Sequence, residues 1–243
     1  MENSRRGNLK ISGAGSSTGG SYDEVKISGA GSVDGDIDCR ILGISGAADI
    51  KGNVKAEDVH ISGAGEIKGN LECDSVEISG SGKVNGDVQS KRVKVSGGSE
   101  IKGNLKADQI EISGGIRVKE DCEAENFKAS GCFDIGGMLN AGSIDVRIWG
   151  YCTVAEIGGE TITIKEGEGT LGIGRLLNSM FNSRRGMRCS IIEGDNIYLE
   201  ETRAKIVRGN NVTIGRNCEI ELVEYKNEIN IYDERCVREV KKA

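Results

Sequence analysis

The chain has 243 residues, of which 37 are glycine, none is proline and only 4% are aromatic, and its formal net charge is −6. So few aromatic residues argue against a conventional globular core, and the interleaved charges of both signs argue against nucleic-acid binding. Because no apolar run could span a membrane and the start MENSRRGNLK lacks the apolar stretch of a signal peptide, we expect a cytoplasmic protein whose eight cysteines are free thiols.

Strand-like segments begin close to the N-terminus and then recur at a fixed spacing. Leu9-Lys10-Ile11 is the first, sixteen residues before the next copy, and we interpret it as a terminal coil. The later copies start seventeen residues apart, and most alternate apolar, polar and apolar residues, which is the pattern of a strand with one buried face. They begin at Val25, Leu42, Val59, Val76, Val93, Ile110, Phe127 and Ile144.

Other residue types share this period. Two further apolar columns run from Val33 to Ile135 and from Ile37 to Leu139. Two glycine columns run from Gly29 to Gly131 and from Gly35 to Gly137. We expect these glycines to adopt positive φ at corners between strands. Seventeen residues are too few for a two-helix repeat of about 33 residues, but they suffice for one circuit of three short strands.

The sequence therefore predicts an all-β fold, a parallel β-helix solenoid with about seventeen residues per coil. A single coil should not be stable alone, because the burial of its few aliphatic side chains roughly balances the entropy lost on ordering its backbone. Regular coils are expected over residues 1–164. The pattern resumes at Ile191, so residues 190–243 are expected to be less regular coils of the same solenoid.

Residues 165–189 interrupt the repeat. A glycine-rich hinge precedes apolar residues at helical spacing, which predicts a short amphipathic α-helix with basic neighbours. The candidate residues of this helix are Ile173, Leu176, Leu177, Met180, Phe181, Arg184 and Arg185. Two interpretations are open: the helix packs against the flank of the β-helix, or it docks on a membrane surface or a protein partner.

Residues that could carry catalysis or bind a metal are scarce. His60, the sole histidine, falls at the outward middle position of its strand, so no Ser-His-Asp set can be built around it. Cys39 and Cys73 share one repeat position two coils apart, about 10 Å, which is too far for a disulfide. The cysteines also lack the spacing of zinc ligands. We expect no catalytic residue, no cofactor and no metal site.

The repeat I-S-G-x-G followed by I-K-G-N-L, with its glycine corners, resembles the bactofilins, which are polymer-forming cytoskeletal proteins of bacteria. The resemblance covers about Leu9 to Val146. It implies a right-handed β-helix that polymerises end to end into nonpolar filaments without nucleotide, often near the membrane. Such proteins organise cell-shape, motility or wall-related machinery. The chain departs from the family pattern in its longer array, its basic insertion and its lack of proline-rich tails.

Repeat and resemblance together favour a non-enzymatic scaffold that binds copies of itself. Both ends of a parallel β-helix expose unpaired backbone groups, and no capping helix is evident at either end of this sequence, so we expect end-stacking residues at Leu9, Ile11, Ile229 and Ile231. Further candidate partners are the inner face of the membrane and cell-envelope or motility proteins.

The alternative is a monomeric adaptor that acts through the 173–185 helix. Three other classes of β-helix protein fit less well. A carbohydrate-active enzyme needs a lateral groove, a left-handed acyltransferase needs a six-residue period, and an ice-binding protein needs secretion and a flat threonine-rich face. The sequence has only one sizeable insertion, it lacks the secretion signal and the threonine-rich face, and although Val212-Thr213-Ile214-Gly215 hints at six-residue units, a period of seventeen is not a multiple of six.

Overall fold

The computed structural model describes residues 6–167 and 185–243, and within these ranges every regular element is a β-strand except one 3₁₀ turn. The strands pair in parallel, coil on coil, which confirms the prediction of an all-β parallel solenoid. The chain divides into two compact units, Met1–Glu120 and Asp121–Ala243.

The N-terminal unit contains twelve strands among its described residues. They are β1 (Leu9–Ile11), β2 (Gly15–Ile27), β3 (Ala30–Ile44), β4 (Ala47–Ile50), β5 (Val54–Ile61), β6 (Ala64–Ile67), β7 (Leu71–Ile78), β8 (Ser81–Val84), β9 (Val88–Val95), β10 (Gly98–Ile101), β11 (Leu105–Ile112) and β12 (Gly115–Val118). Each coil contributes to three ladders of parallel strands, and we call each ladder a face. In one coil, residues 58–61 lie on the first face, 64–67 on the second and 71–73 on the third.

The ladders keep the seventeen-residue register that the sequence predicts. On the first face Val59 pairs with Val76, and Val76 pairs with Val93. These three side chains are at most 3% exposed. The first coil is one residue shorter, because Leu9 pairs with Val25. Identical spacing therefore places apolar side chains directly over one another, and the core is a set of stacked columns.

The reason that we gave for the glycine columns is wrong. Of the described glycines in those columns, only Gly35 has a positive φ, at 112°. The others are required because backbones of stacked coils approach closely at the corners. A Cβ on Gly80 would lie 2.1 Å from the Gly63 carbonyl oxygen, and a Cβ on Gly52 would lie 2.3 Å from the Gly35 carbonyl carbon. Only glycine fits where two backbones pass at this distance.

A ladder of Asp and Asn side chains follows one corner of the N-terminal unit. The backbone N–H of Asn53 donates to Asp36 Oδ1 at 2.7 Å, and that of Asn70 donates to Asn53 Oδ1 at 2.9 Å. Asp87 and Asn104 continue the pattern at 2.9 and 2.7 Å. Each side chain thus accepts a backbone hydrogen of the next coil, and Asn53 and Asn70 separate the carboxylates of Asp36 and Asp87, which avoids stacked like charges.

The C-terminal unit is also a parallel solenoid, with less regular coils. Its elements are β13 (Cys122–Ala129), β14 (Cys132–Ile148), β15 (Tyr151–Glu166), β16 (Gly186–Arg188), β17 (Ile191–Leu199), β18 (Thr202–Ile214), β19 (Glu219–Ile231), the 3₁₀ turn Glu234–Cys236 and β20 (Val237–Lys242). On its first face the core column runs through Ile144, Ile162, Ile197, Val212 and Ile229. The steps are eighteen, thirty-five, fifteen and seventeen residues, and the longest contains residues 168–184.

The predicted amphipathic helix lies almost wholly outside the described residues. Ile173, Leu176, Leu177, Met180, Phe181 and Arg184 belong to the range that the structure leaves out, and Arg185 alone is described. Arg185 is exposed and pairs with Glu166 at 2.5 Å. Within residues 6–167 and 185–243 there is no α-helix, and so none that could cross a membrane.

Candidate assembly surfaces

The titratable residues that the sequence singles out lie apart from one another, with His60 on the surface and most of the cysteines in the core. His60 points outward, is exposed, and has its Nδ1 3.9 Å from Glu77 Oε2 in the next coil. No group of three or more His, Cys, Asp or Glu in this part of the chain is placed to hold a metal. Seven of the eight cysteines are buried. Burial raises the pKa of Cys39 to about 11 and that of Cys122 to about 12, so these thiols are poor nucleophiles.

Ion pairs between successive coils occupy the sides of the N-terminal unit. Lys55 Nζ lies 2.6 Å from Glu72 Oε1, and Lys91 Nζ lies 2.9 Å from Asp74 Oδ1, in each case one coil apart. These side chains are more than half exposed, so water and salt screen them and they add little stability. These pairs join an outward charge to a neighbour of opposite sign in the same molecule.

The N-terminal end of the solenoid presents strand β1. It pairs with β2 on one side, and no described strand lies along its other edge. Ile11 is 8% exposed and Leu9 is half-buried. Ser17 and Gly20 stand at the column positions that Val33 and Ile37 fill in the next coil. This end is therefore apolar on the first face, whereas on the other two faces the core positions hold a serine or a glycine in place of an aliphatic side chain.

At the C-terminal end, the last side chains of the apolar columns are partly exposed. Ile229 and Ile231 stack on Val212 and Ile214 but are themselves only partly buried. No described strand lies on the outer side of residues 228–231. Val240 continues the column of Val223 and is 43% exposed. Unpaired backbone and part-exposed aliphatic side chains therefore meet on one surface.

Of the four end residues that the sequence singles out, Leu9 and Ile11 lie in the first coil of the N-terminal unit, and Ile229 and Ile231 lie in the last complete first-face strand of the C-terminal unit. The structure adds Val240 and Tyr232, the residue after Ile231, which is 58% exposed. Val240 follows Val223 by seventeen residues, so the same period would have identified it.

A second feature that sequence reasoning missed is an aromatic corner. Trp149 and Tyr151 are 50% and 46% exposed. The Trp149 ring lies against Gly167, where a Cβ would approach it to 2.6 Å. The backbone N–H of Gly186 donates to the carbonyl oxygen of Gly150 at 3.0 Å. The corner thus lies where the chain leaves toward residues 168–184 and returns from them.

Comparisons with known proteins agree with this architecture. The bactofilin family, described as polymer-forming cytoskeletal, matches residues 3–106. Uncharacterized protein YhbE of Bacillus subtilis (strain 168) is 55% identical over 221 residues, which cover 90% of this chain and 91% of that protein. Uncharacterized protein YhbF of the same organism is 42% identical over 74 residues, or 30% of this chain and only 27% of YhbF. No solved structure matches significantly. The stacked glycine-cornered coils and the family match lead to one conclusion: the chain belongs to the bactofilin family of polymer-forming cytoskeletal proteins.

Proposed function

We propose that this protein is a non-enzymatic scaffold whose copies join end to end through their terminal coils, without nucleotide or cofactor. The observation that supports it most is the state of the core columns. They run buried through each unit and finish in the part-exposed side chains of Ile229, Ile231 and Val240. The match to a polymer-forming family supports the same proposal.

The physical reason is that end-to-end contact between two copies supplies the burial and the strand pairing that a terminal coil lacks. Another copy stacked on the C-terminal end would cover the exposed aliphatic side chains, and finishing the burial of each is worth roughly 1 kcal/mol. It would also pair the free edge of residues 228–231 with a strand, as occurs at every interior coil. On the sides, by contrast, charges such as those of Lys55 and Lys91 are already paired between coils.

The proposal can be tested with purified full-length chain. We expect filaments by negative-stain electron microscopy and sedimentation in the absence of nucleotide. The Ile231→Glu/Val240→Glu variant places charge on the end columns and should leave only small species in the supernatant. Gln89→Glu/Gln109→Glu places the same number of charges on exposed interior positions and should leave filaments intact. Wild-type protein that stays monomeric at high concentration would refute the proposal.

A second candidate is docking on a membrane surface through residues 173–185, and the aromatic corner favours it. Trp and Tyr are the residues enriched where proteins meet the lipid headgroup region, and Trp149 and Tyr151 are exposed beside Gly167 and Gly186, where the described chain stops and resumes. Liposome flotation of wild type against Leu177→Asp/Phe181→Asp tests this candidate. Equal flotation of the two proteins would remove it.

A further inference from the structure

A hollow of about 440 Å³ lies in the C-terminal unit, at the corner where the strands of its second face begin. Gly186 lies buried beneath it, between Tyr151 of the preceding coil and Glu201 of the next one. The φ of Gly186 is 136°, and a Cβ on it would lie 2.9 Å from the Glu201 carbonyl oxygen. Glycine is therefore required at this position, and the side-chain volume that it leaves empty forms the floor of the hollow.

Three arginines line this hollow. Arg188 and Arg203 are direct partners in the strand register, and both are exposed. Arg185 precedes the floor residue in the chain and lines the hollow as well. Like charges opposite each other on neighbouring strands destabilise a sheet, so the pairing of Arg188 with Arg203 is unfavourable unless an anion lies between them. We call this set the arginine hollow; it consists of Tyr151, Arg185, Gly186, Arg188, Glu201 and Arg203.

The positive charges of the arginine hollow are only partly balanced within the protein. Arg185 pairs with Glu166 at 2.5 Å, and Arg203 Nε lies 2.8 Å from Glu219 Oε2. Because Arg203 contacts this carboxylate through Nε, its Nη groups can donate elsewhere. In the part of the chain that the structure describes, Arg188 has no carboxylate partner. Arg188 therefore supplies an exposed guanidinium that is free to bind an anion.

The carboxylate that lines the hollow is held by a neighbouring side chain. Glu201 Oε1 accepts a hydrogen bond from Asn217 Nδ2 at 2.6 Å. The two residues have φ values of 51° and 57°, in the left-handed region. This conformation is uncommon for residues other than glycine, and where it occurs it is often found at binding sites. The backbone at this corner therefore agrees with a binding role for the surface that it forms.

We infer that the arginine hollow binds a phosphate group, with Arg188 and Arg203 donating to the same phosphate. A guanidinium presents a planar fork of N–H donors that matches two phosphate oxygens, and one phosphate has enough oxygens to accept from both arginines. A bound phosphate would also place negative charge between the two like charges. This inference goes beyond the proposed scaffold function and does not depend on end-to-end assembly, because one molecule supplies all the residues.

The size and the aromatic wall of the hollow indicate that the phosphate carries an organic group. The volume falls within the range of small-ligand sites, roughly 300–1,000 Å³, which is more than a bare phosphate needs. Tyr151 pairs with the floor residue and is 46% exposed, so its ring can contact the attached group. Recognition of the phosphate is the same for a lipid headgroup and for a soluble molecule. The test therefore has one arm for each source.

Both arms use the full-length chain and one pair of variants. Arg188→Gln removes the guanidinium without a carboxylate partner. Arg92→Gln is the matched control, because Arg92 is an exposed, outward arginine that pairs with Ser75 and Gln109 rather than with another arginine. In sodium chloride we expect Arg188→Gln to unfold at the same temperature as wild type or at a higher one, since it removes a like-charge neighbour.

The first arm measures thermal unfolding by circular dichroism in phosphate and in sodium chloride of equal ionic strength. If the dissociation constant is roughly 1 mM, about 50 mM phosphate shifts the unfolding equilibrium about 50-fold toward the folded state. The midpoint of wild type and of Arg92→Gln should therefore rise further than that of Arg188→Gln. The general stabilisation by phosphate salts acts on all three proteins alike.

The second arm measures flotation with vesicles of phosphatidylglycerol mixed with phosphatidylcholine. A midpoint rise that requires Arg188 supports the inference and identifies a soluble phosphate as sufficient. Flotation that requires Arg188 without such a rise supports it and identifies a lipid headgroup as the source. Equal behaviour of wild type and Arg188→Gln in both arms would overturn it. A lower midpoint of Arg188→Gln in sodium chloride would assign Arg188 to the support of the fold and would overturn it as well.

Discussion

A Cβ on Gly63 would lie 2.1 Å from the carbonyl oxygen of Gly46 in the preceding coil. The same corner repeats at Gly80 over Gly63 and at Gly97 over Gly80, with 2.1 and 2.0 Å. The neighbour at each corner is backbone, which is fixed by the ladders on both sides and cannot move aside. A single methyl group would therefore force two coils apart along the axis on which all the columns stack.

Substitution of this glycine should be costly, and the chain offers a matched control. We expect Gly63→Ala to lower the free energy of unfolding by more than about 2 kcal/mol, in the range of steric core mutations. Gly98 lies in a strand with no atom within 4 Å of its would-be Cβ. Gly98→Ala should be neutral or stabilise by up to about 1 kcal/mol, since alanine reduces the entropy of the unfolded chain. Urea unfolding followed by circular dichroism measures both, and equal midpoints for the two variants would contradict this account of the corners.

The Asp and Asn ladder leads to a prediction about charge. Asn70→Ala removes the acceptor for the Asp87 backbone N–H and should cost about 1 kcal/mol. Asn70→Asp keeps an acceptor but places a carboxylate next to Asp87, so the loss of stability should grow as pH rises through the ordinary carboxyl range and shrink in high salt. Thermal unfolding at pH 4 and pH 7 measures it. Gln89→Ala, at an exposed outward position, should change stability by less than about 0.5 kcal/mol. A pH-independent Asn70→Asp effect would contradict the ladder.

The sequence predicts the fold well because its seventeen-residue period directly gives the register in which the strands pair. Val59, Val76 and Val93 stack because they are equally spaced, and no long-range inference is needed to pair them. The sequence does not show why glycine is required at the corners, because close backbone approach and positive φ both require glycine. The role of Asp36 and Asn53 escaped it as well, because a turn residue that bonds to the next coil looks like any solvated turn residue.

The strand pairing of the less regular coils escaped the sequence for a different reason. Thr161, Asn196 and Asn211 are neighbours in space but are separated by thirty-five and fifteen residues. An alignment at a period of seventeen does not bring them together, so only the strand register reveals that they are neighbours. In the sequence, residues 168–184 also have no repeat partners, so no period indicates their role.

Buried thiols make a prediction for alkaline pH. The pKa of Cys122 is raised from 9.0 to about 12, chiefly by burial. Below pH 9 the thiol is protonated in both states, and its contribution to stability is complete. As pH rises from about 9 toward 12, the unfolded chain loses the proton and the folded one keeps it, so stability falls by up to about 1.4 kcal/mol per pH unit.

Cys122→Val should flatten the decline of unfolding free energy between pH 9 and 11, measured by urea titration. Leu139→Val, in the paired position of the next coil, alters packing without removing a thiol and should keep the wild-type slope. Equal slopes for the two variants would remove Cys122 as a cause.

Blocking one end of the molecule at a time should reveal how the ends meet. The bactofilin resemblance implies nonpolar filaments, in which N-terminal ends join each other and C-terminal ends join each other. The Ile231→Glu/Val240→Glu variant would then keep a working N-terminal end and stop at a dimer, twice the 25.8 kDa of one chain. Leu9→Glu should stop at a dimer through the intact C-terminal end. Sedimentation velocity measures both masses. If unlike ends join instead, each variant alone would be monomeric and an equal mixture of the two would form a single heterodimer, because only one working joint remains between them.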